Sequence, residues 1–293
     1  MTDAVASSPW HHLLISGTGR AGTSLLVRWL AAMGLETHLQ AHASPAWHDD
    51  ANAGLEDLPL ETAWETAPYV VKSPWLSEII DTILADPRVA VDGVIVPVRD
   101  LIPAATSRLV LEIQARYRNY PWLIDLRQGI ALGGTTPGGA VFTLDPVDQA
   151  RVLAVSFHHL VQRLVQTDIP LVLLDFPRFA RDADYLFCKL RRFLPEGADA
   201  AQARQALADI VDPAKLRVER ELVAAPSPVP TPDALEVMAL RREVRRLNEA
   251  LAAAASAAQP PPTAVPPAPA APEPPPQPPE SAAAPQPNGE ERC

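Results

Sequence analysis

The residues best suited to chemistry lie between Gly17 and Ser24, which read Gly-Thr-Gly-Arg-Ala-Gly-Thr-Ser. Glycines at 17, 19 and 22 let the backbone wrap closely around an oxyanion. Arg20 supplies a guanidinium, and the amides of Thr18 and Ala21 with the hydroxyls of Thr23 and Ser24 add donors. Two more cations stand out. Lys72 is one of only three lysines (72, 189 and 215) and directly follows the apolar run Tyr69–Val70–Val71. Arg99 directly follows the apolar run Val94–Val98. A guanidinium offers a planar fork to phosphate, and a nearby hydroxyl adds a further donor. These types in this pattern suit an anionic ligand.

The elements that must hold them follow from hydrophobic periodicity. Leu13–Leu14–Ile15–Ser16 has strand character; after the glycine turn, Leu26, Leu30 and Met33 share a helical face flanked by Leu25 and Trp29. Gly34 stands where a helix ends on a left-handed residue. The pattern then predicts a strand at Tyr69–Val71, a helix over Leu76–Leu84, a strand at Val94–Val98 and helices over Ala104–Tyr117 and Asp145–Gln166. A strand at Pro170–Leu174 and helices over Asp182–Leu194 and Ala200–Ile210 complete it. Strands alternating with helices imply an α/β fold with a central parallel sheet, and such sheets bind ligands beyond the carboxyl ends of their strands. Arg20, Lys72 and Arg99 all fall there.

Gly17 and Gly22 have the spacing of the nucleotide loop G-x-x-x-x-G-K-[ST], but Thr23 occupies the lysine position and the cation has moved to Arg20. Gly-Thr-Gly-Arg-Ala-Gly-Thr-Ser-Leu-Leu resembles the 5′-phosphosulfate loop of the sulfotransferases, in the form that carries arginine. Arg99 with Ser107 resembles that family's pair on the 3′-phosphate of the donor. Val71–Lys72–Ser73–Pro74 is similar to its lysine segment, in which the ammonium stands near the oxygen bridging phosphate and sulfonate. A looser likeness covers Leu173–Leu194, and the whole spans roughly residues 10–195. The resemblance implies a P-loop three-layer fold and 3′-phosphoadenosine-5′-phosphosulfate as sulfuryl donor. It assigns residues 17–24 (Gly17, Thr18, Gly19, Arg20, Ala21, Gly22, Thr23, Ser24), Arg99 and Ser107 to donor binding, and Lys72 and Arg20 to catalysis. No metal is expected. One departure concerns the general base: the histidine that one branch carries beside its lysine segment is replaced by Ser73–Pro74. The polar segment Glu36–Pro68, irregular in pattern, offers Glu56, His38 and His42 instead. Glu56 ranks first, because Asn52–Ala53–Gly54–Leu55–Glu56 resembles an N-x-G-x-E segment of bacterial members.

Composition bounds the rest. Of 293 residues, 33 are proline, concentrated at the C-terminus, so the folded part is shorter than the chain. The organisation expected is a flexible start over 1–9, one domain over 10–222, a linker over 223–232, a helix over 233–258 and a disordered Pro/Ala-rich tail over 259–293. A net charge of −10 argues against generic nucleic-acid binding. No apolar run is long enough for a membrane span and no signal-peptide pattern opens the chain, so a cytoplasmic location is expected. Cys188 sits in an apolar helical pattern and is expected in the core; Cys293 lies at the end of the tail. Val237, Leu240, Val244, Leu247 and Leu251 have 3-4-3-4 spacing. That run suits either a short coiled coil joining a homodimer or a helix packed back on its own domain. Two other functions compete with sulfuryl transfer. One is a P-loop small-molecule kinase, with Asp175 as a magnesium ligand and Ser24 as the loop hydroxyl. The other is a non-catalytic assembly protein that keeps the fold.

Overall fold

The computed structural model describes residues 9–17, 21–41, 64–119, 141–211 and 229–257. Of the candidates above, Thr18, Gly19, Arg20, His42 and Glu56 lie outside the described residues, as does the tail from 259. The chain divides into two units, Met1–Asn248 and Glu249–Cys293. In the second, the described residues are the last turns of a helix.

In chain order the elements are β1 (Trp10–Ile15), α1 (Thr23–Ala32), α2 (His38–Ala41), β2 (Val70–Lys72), α3 (Leu76–Ala85) and β3 (Val89–Val98). Then follow α4 (Leu101–Asn119), α5 (Pro146–Gln166), β4 (Leu171–Asp175), α6 (Ala183–Leu190), α7 (Ala200–Ile210) and α8 (Pro232–Ala257). Among the described residues the strands form one four-stranded sheet in the order β2-β1-β3-β4, with every pairing parallel. β1 lies inside the sheet, and its residues Leu13, Leu14 and Ile15 are at most 1% exposed. Burial on both faces is why this strand reads as a continuous apolar run rather than an alternating one. Each such side chain contributes roughly 1.5–3 kcal/mol relative to leaving it in water.

Alternation along the strands divides the core into two layers. Leu13, Ile15, Val70, Ile95 and Leu174 face α1, α6 and α7, while Leu14, Val71, Val94 and Val96 face α3 and α5. The architecture is therefore three-layered, with helices on both faces of a parallel sheet. Trp29, which the sequence pattern set at the flank of its helix, is fully buried, and its Nε1 donates to the Ala203 carbonyl of α7 at 3.2 Å. Gly34, at φ 90°, ends α1 as expected, with its N–H on Ala31 and that of Leu35 on Leu30.

Several boundaries differ from the sequence reading. β3 begins at Val89, five residues before the expected strand, because the polar pair Asp92–Gly93 does not turn the chain. Asp92 accepts from His11 Nδ1 at 2.7 Å and from Tyr69 Oη at 3.1 Å, binding three segments at this end of the sheet. Gly93 leaves room for the Phe193 ring, since a Cβ there would lie 2.6 Å from Phe193 Cζ. The segment after α1 is not wholly irregular: Thr37 bridges Val70, and α2 follows. Cys188 is exposed, not core, because α6 buries Leu186, Phe187 and Leu190 and turns residue 188 outward.

The first part of α8 packs on α4. Leu235 and Ala239 are buried with Leu109, Val110 and Val141. Tyr117 Oη donates to Glu236 at 2.5 Å, and Gln114 Nε2 and Arg118 Nη2 donate to Glu243 at 2.7 and 3.1 Å. Arg246, followed by Gln114 and Arg118, holds the Glu243 carboxyl down to about 2.

At the start of β1, His12 is buried, its Nδ1–H donating to the Pro68 carbonyl at 3.0 Å and its ring 5.0 Å from that of Trp64. Burial lowers its pKa below 6.5, more than its hydrogen bonds to backbone carbonyls raise it. The unfolded chain therefore takes up a proton that the folded chain resists. His12 stabilises the fold above pH 6.5, and this contribution is lost as pH falls below that value. Thermal midpoints should drop between pH 7 and mildly acidic pH, and His12→Gln should flatten the drop over that interval. An unchanged slope would remove His12 as its cause.

Candidate functional site: the carboxyl edge of the sheet

All four strands run the same way, so their carboxyl ends gather on one edge. β1 ends at Ile15, level with Lys72 of β2 and Ile95 of β3. Its last residues are hydrogen-bonded on both sides: Ser73 N–H donates to the Ile15 carbonyl at 2.9 Å, and Ser16 N–H donates to the Ile95 carbonyl at 3.0 Å. The chain continues from β1 to β2 on one side and crosses to β3 on the other. The crevice beyond β1 and β3 is thus the point at which strand order reverses, where open parallel sheets take their ligands.

Glycine is required at both ends of the turn after β1. Gly17 has φ 147°, and a Cβ there would stand 3.3 Å from the Pro97 carbonyl oxygen of β3. Gly22 has φ 76° and is the N-cap of α1. A Cβ on Gly22 would lie 2.8 Å from Phe179 Cζ and 2.9 Å from Phe176 Cε2. The start of α1 therefore rests directly on this aromatic pair, whose rings are 5.5 Å apart and tilted by 53°. α5, α6 and α7 receive their first N–H groups on the carboxylates of Asp145, Asp182 and Asp199. Gly22 offers no side chain, so the positive end of α1 meets no carboxylate from its own cap. Thr23 is buried behind it and Ser24 is half-buried.

Lys72 closes β2 and is 4% exposed. Ser73 beside it turns the chain into α3, its Oγ accepting from Trp75 N–H at 3.1 Å. Arg99 follows β3, and its guanidinium carbon sits 5.5 Å above the Phe176 ring. One ring thus touches both Gly22 and Arg99. The carboxylate of Asp100 accepts from the Ile102 N–H at 3.2 Å, and α4 proceeds to the half-buried Ser107.

The structure thus brings Gly17, Ala21, Gly22, Thr23, Ser24, Lys72 and Arg99 to one edge of the sheet, with Ser107 on the helix that leaves it. Among the general-base candidates, His38 is the one described. It is 4% exposed at the start of α2, immediately after the bridge of Thr37 to Val70. Asp175 ends β4, level with Val98, and β3 separates it from β1.

Two features went unread in the sequence. Phe176 and Phe179 fall within the segment Leu173–Leu194, whose family likeness does not mark them as the seat of α1. The signal available was an aromatic pair three residues apart just past the strand Leu171–Asp175. The other is the buried charge on α4: Arg108, Glu112 and Arg116 are 1%, 0% and 8% exposed, with Arg116 Nε donating to Glu112 at 3.2 Å. Spacings of four place them on one helical face, where an apolar pattern would ordinarily mark the core.

Gly22→Ala should lower stability by about 2–4 kcal/mol, combining strain at positive φ with overpacking against the rings. Phe179→Leu removes the nearest ring atom. In a double-mutant cycle followed by denaturant unfolding, the two changes should cost less together than the sum of each alone. Additive costs would mean that the rings do not set the position of α1.

Comparison with protein-family models, with curated proteins and with solved structures finds no match to this chain.

Proposed function

We propose that the chain is a sulfotransferase that binds 3′-phosphoadenosine-5′-phosphosulfate at the carboxyl edge of its sheet. The observation that carries the reading is the pair of cations, Lys72 and Arg99, that end the two strands flanking β1, on either side of a glycine turn opening onto a helix N-terminus. In an acidic protein this edge is matched to a ligand with anionic groups at two places. The turn from Gly17 to Ser24, Arg20 included, holds the 5′-phosphosulfate. Arg99 and Ser107 hold the 3′-phosphate.

In the reaction an acceptor hydroxyl or amine attacks sulfur in line. The bond from sulfur to the bridging oxygen breaks, a sulfate ester or sulfamate forms, and 3′-phosphoadenosine-5′-phosphate leaves. The acceptor proton passes to a base, for which Glu56, His38 and His42 are the candidates. Negative charge grows on the bridging oxygen as the bond breaks. A lysine beside that oxygen therefore binds the transition state more strongly than the ground state. The acceptor class consistent with this chemistry is a glycan, a glycolipid or a small metabolite.

The kinase alternative draws less support. Its magnesium ligand would be Asp175, two strands from β1, whereas the strands beside β1 end in cations. Thr23 in place of the loop lysine removes the usual contact to the outer phosphates. A non-catalytic role would retain donor binding but not turnover.

Lys72→Ala should lower the rate of 3′-phosphoadenosine-5′-phosphate release from the donor by about 10²–10³-fold, roughly 2.7–4 kcal/mol. Its affinity for the product nucleotide should stay close to that of the parent. A variant that turns over at the parental rate would make Lys72 a structural strand-end cation. Arg99→Ala should act on binding, weakening 3′-phosphoadenosine-5′-phosphate by about 1.5–3 kcal/mol, on the order of 10–100-fold, and AMP far less. Equal losses for both nucleotides, measured by calorimetry, would mean that Arg99 does not meet the 3′-phosphate.

A further inference from the structure

α4, the helix that carries Ser107, is gripped from the side by α8, which lies beyond the stretch that resembles the sulfotransferases. Glu243 of α8 is the centre of the grip. Its Oε2 accepts from Gln114 Nε2 at 2.7 Å and from Arg118 Nη2 at 3.1 Å. Its Oε1 accepts from Nε and Nη2 of Arg246, on its own helix, at 3.0 and 2.6 Å. One oxygen thus faces α4 while the other is tied to α8, so the carboxylate has little freedom to turn. The bond from Tyr117 Oη to Glu236 and the packing of Leu235 and Ala239 on Leu109 and Val110 complete the attachment. All of these residues belong to the first compact unit, which ends at Asn248.

The two residues that Glu243 holds share a line with Ser107. At 3.6 residues per turn, Gln114 stands about 20° from Ser107 around the helix axis on one side and Arg118 about 20° on the other. We propose that Glu243 is a positioning residue for the 3′-phosphate of the donor: it fixes the roll of α4 about its axis and so aims the Ser107 hydroxyl. Glu243 matters in this way only if Ser107 meets that phosphate, as the proposed function has it. The two groups assigned to the phosphate need different supports. Arg99 follows β3 directly and lies over the Phe176 ring, so the sheet and the turn after β4 hold it. Ser107 lies two turns into α4, where the direction of its hydroxyl depends on how the helix is rolled. α5 also packs against α4, so the helix keeps its place without Glu243. What Glu243 adds is a pair of bonds in line with Ser107. The hydrogen-bonded helix transmits a roll set at Gln114 to Ser107, about 10 Å away along the axis. A roll of about 20° carries a hydroxyl about 4 Å from the axis through roughly 1.4 Å, enough to break a hydrogen bond.

The test is calorimetry of 3′-phosphoadenosine-5′-phosphate and of AMP on the full chain. The ratio of the two affinities reports the 3′-phosphate alone, and in the parent it should favour the bisphosphate. Ser107→Ala should lower the ratio about tenfold, the cost of one hydrogen bond to a charged group. Glu243→Ala should lower it by about 3–10-fold, and should add nothing once Ser107→Ala has removed the hydroxyl. Arg118→Met keeps most of the apolar stem, removes one of the two bonds from the α4 side, and should move the ratio the same way. The role can therefore be refuted even if Glu243→Ala does not fold. A merely structural Glu243 would weaken both nucleotides alike. An unchanged ratio in Glu243→Ala and Arg118→Met, beside a lowered one in Ser107→Ala, overturns the positioning role and leaves the sulfotransferase reading standing. Losses that add in the double variant, or an unchanged ratio in Ser107→Ala, overturn it too. A parent that binds the two nucleotides equally overturns that reading and the positioning role together.

Discussion

The position of the site depends on a side chain that is missing. At Gly22 the start of α1 lies so close to Phe176 and Phe179 that even a methyl group would overlap their rings. This contact sets where the first N–H groups of the helix stand relative to the end of β1. Phe176 also lies under the Arg99 guanidinium. The turn after β4, which takes no direct part in the proposed chemistry, thereby supports both the start of α1 and a cation beyond β3. Gly17 against Pro97 makes a second close approach, holding the turn to the neighbouring strand. Rigid support of this kind lets a small number of charges act at fixed distances, which is the condition for electrostatic catalysis.

Charge is distributed to the same end. The protein carries a net charge of −10, yet the strands beside the glycine turn end in Lys72 and Arg99. α1, which opens beyond β1, starts on glycine, while α5, α6 and α7 start on aspartate. A carboxylate at Gly22 would compete for the N–H groups that an external anion needs. In the proposed function, cations beyond the strand ends and backbone donors at a helix start would neutralise a singly charged sulfuryl group.

Much of this frame was legible in the sequence. β1 announced itself by an unbroken apolar run, α1 by its face of Leu26, Leu30 and Met33, and its end by Gly34. Lys72 and Arg99 could be placed at strand ends because the runs before them are apolar and short. What escaped was long-range contact. Nothing local in Phe176 or Phe179 says that they meet Gly22, more than 150 residues away. Asp92–Gly93 looks like a turn, and only the partners of Asp92 and the Phe193 ring over Gly93 explain why β3 continues through it. Cys188 looked apolar enough for the core, but the helical phase set by Leu186 and Leu190 turns it to solvent. The 3-4-3-4 spacing of apolar residues on α8 was legible as a pattern. Which face the domain itself uses was not, because Leu235 and Ala239 alone are too few to reveal it.

The proposed sulfuryl transfer requires that the cations at the carboxyl edge bind the two anionic ends of one nucleotide rather than a magnesium triphosphate. The most direct measurement is a thermal-shift comparison of 3′-phosphoadenosine-5′-phosphate with ATP plus magnesium on the full chain. A ligand at a hundredfold excess over its Kd stabilises the native state by about 2.7 kcal/mol. On a sulfotransferase, 3′-phosphoadenosine-5′-phosphate should raise the unfolding temperature and ATP with magnesium should do so far less. Equal stabilisation by both, or stabilisation by ATP with magnesium alone, would contradict it.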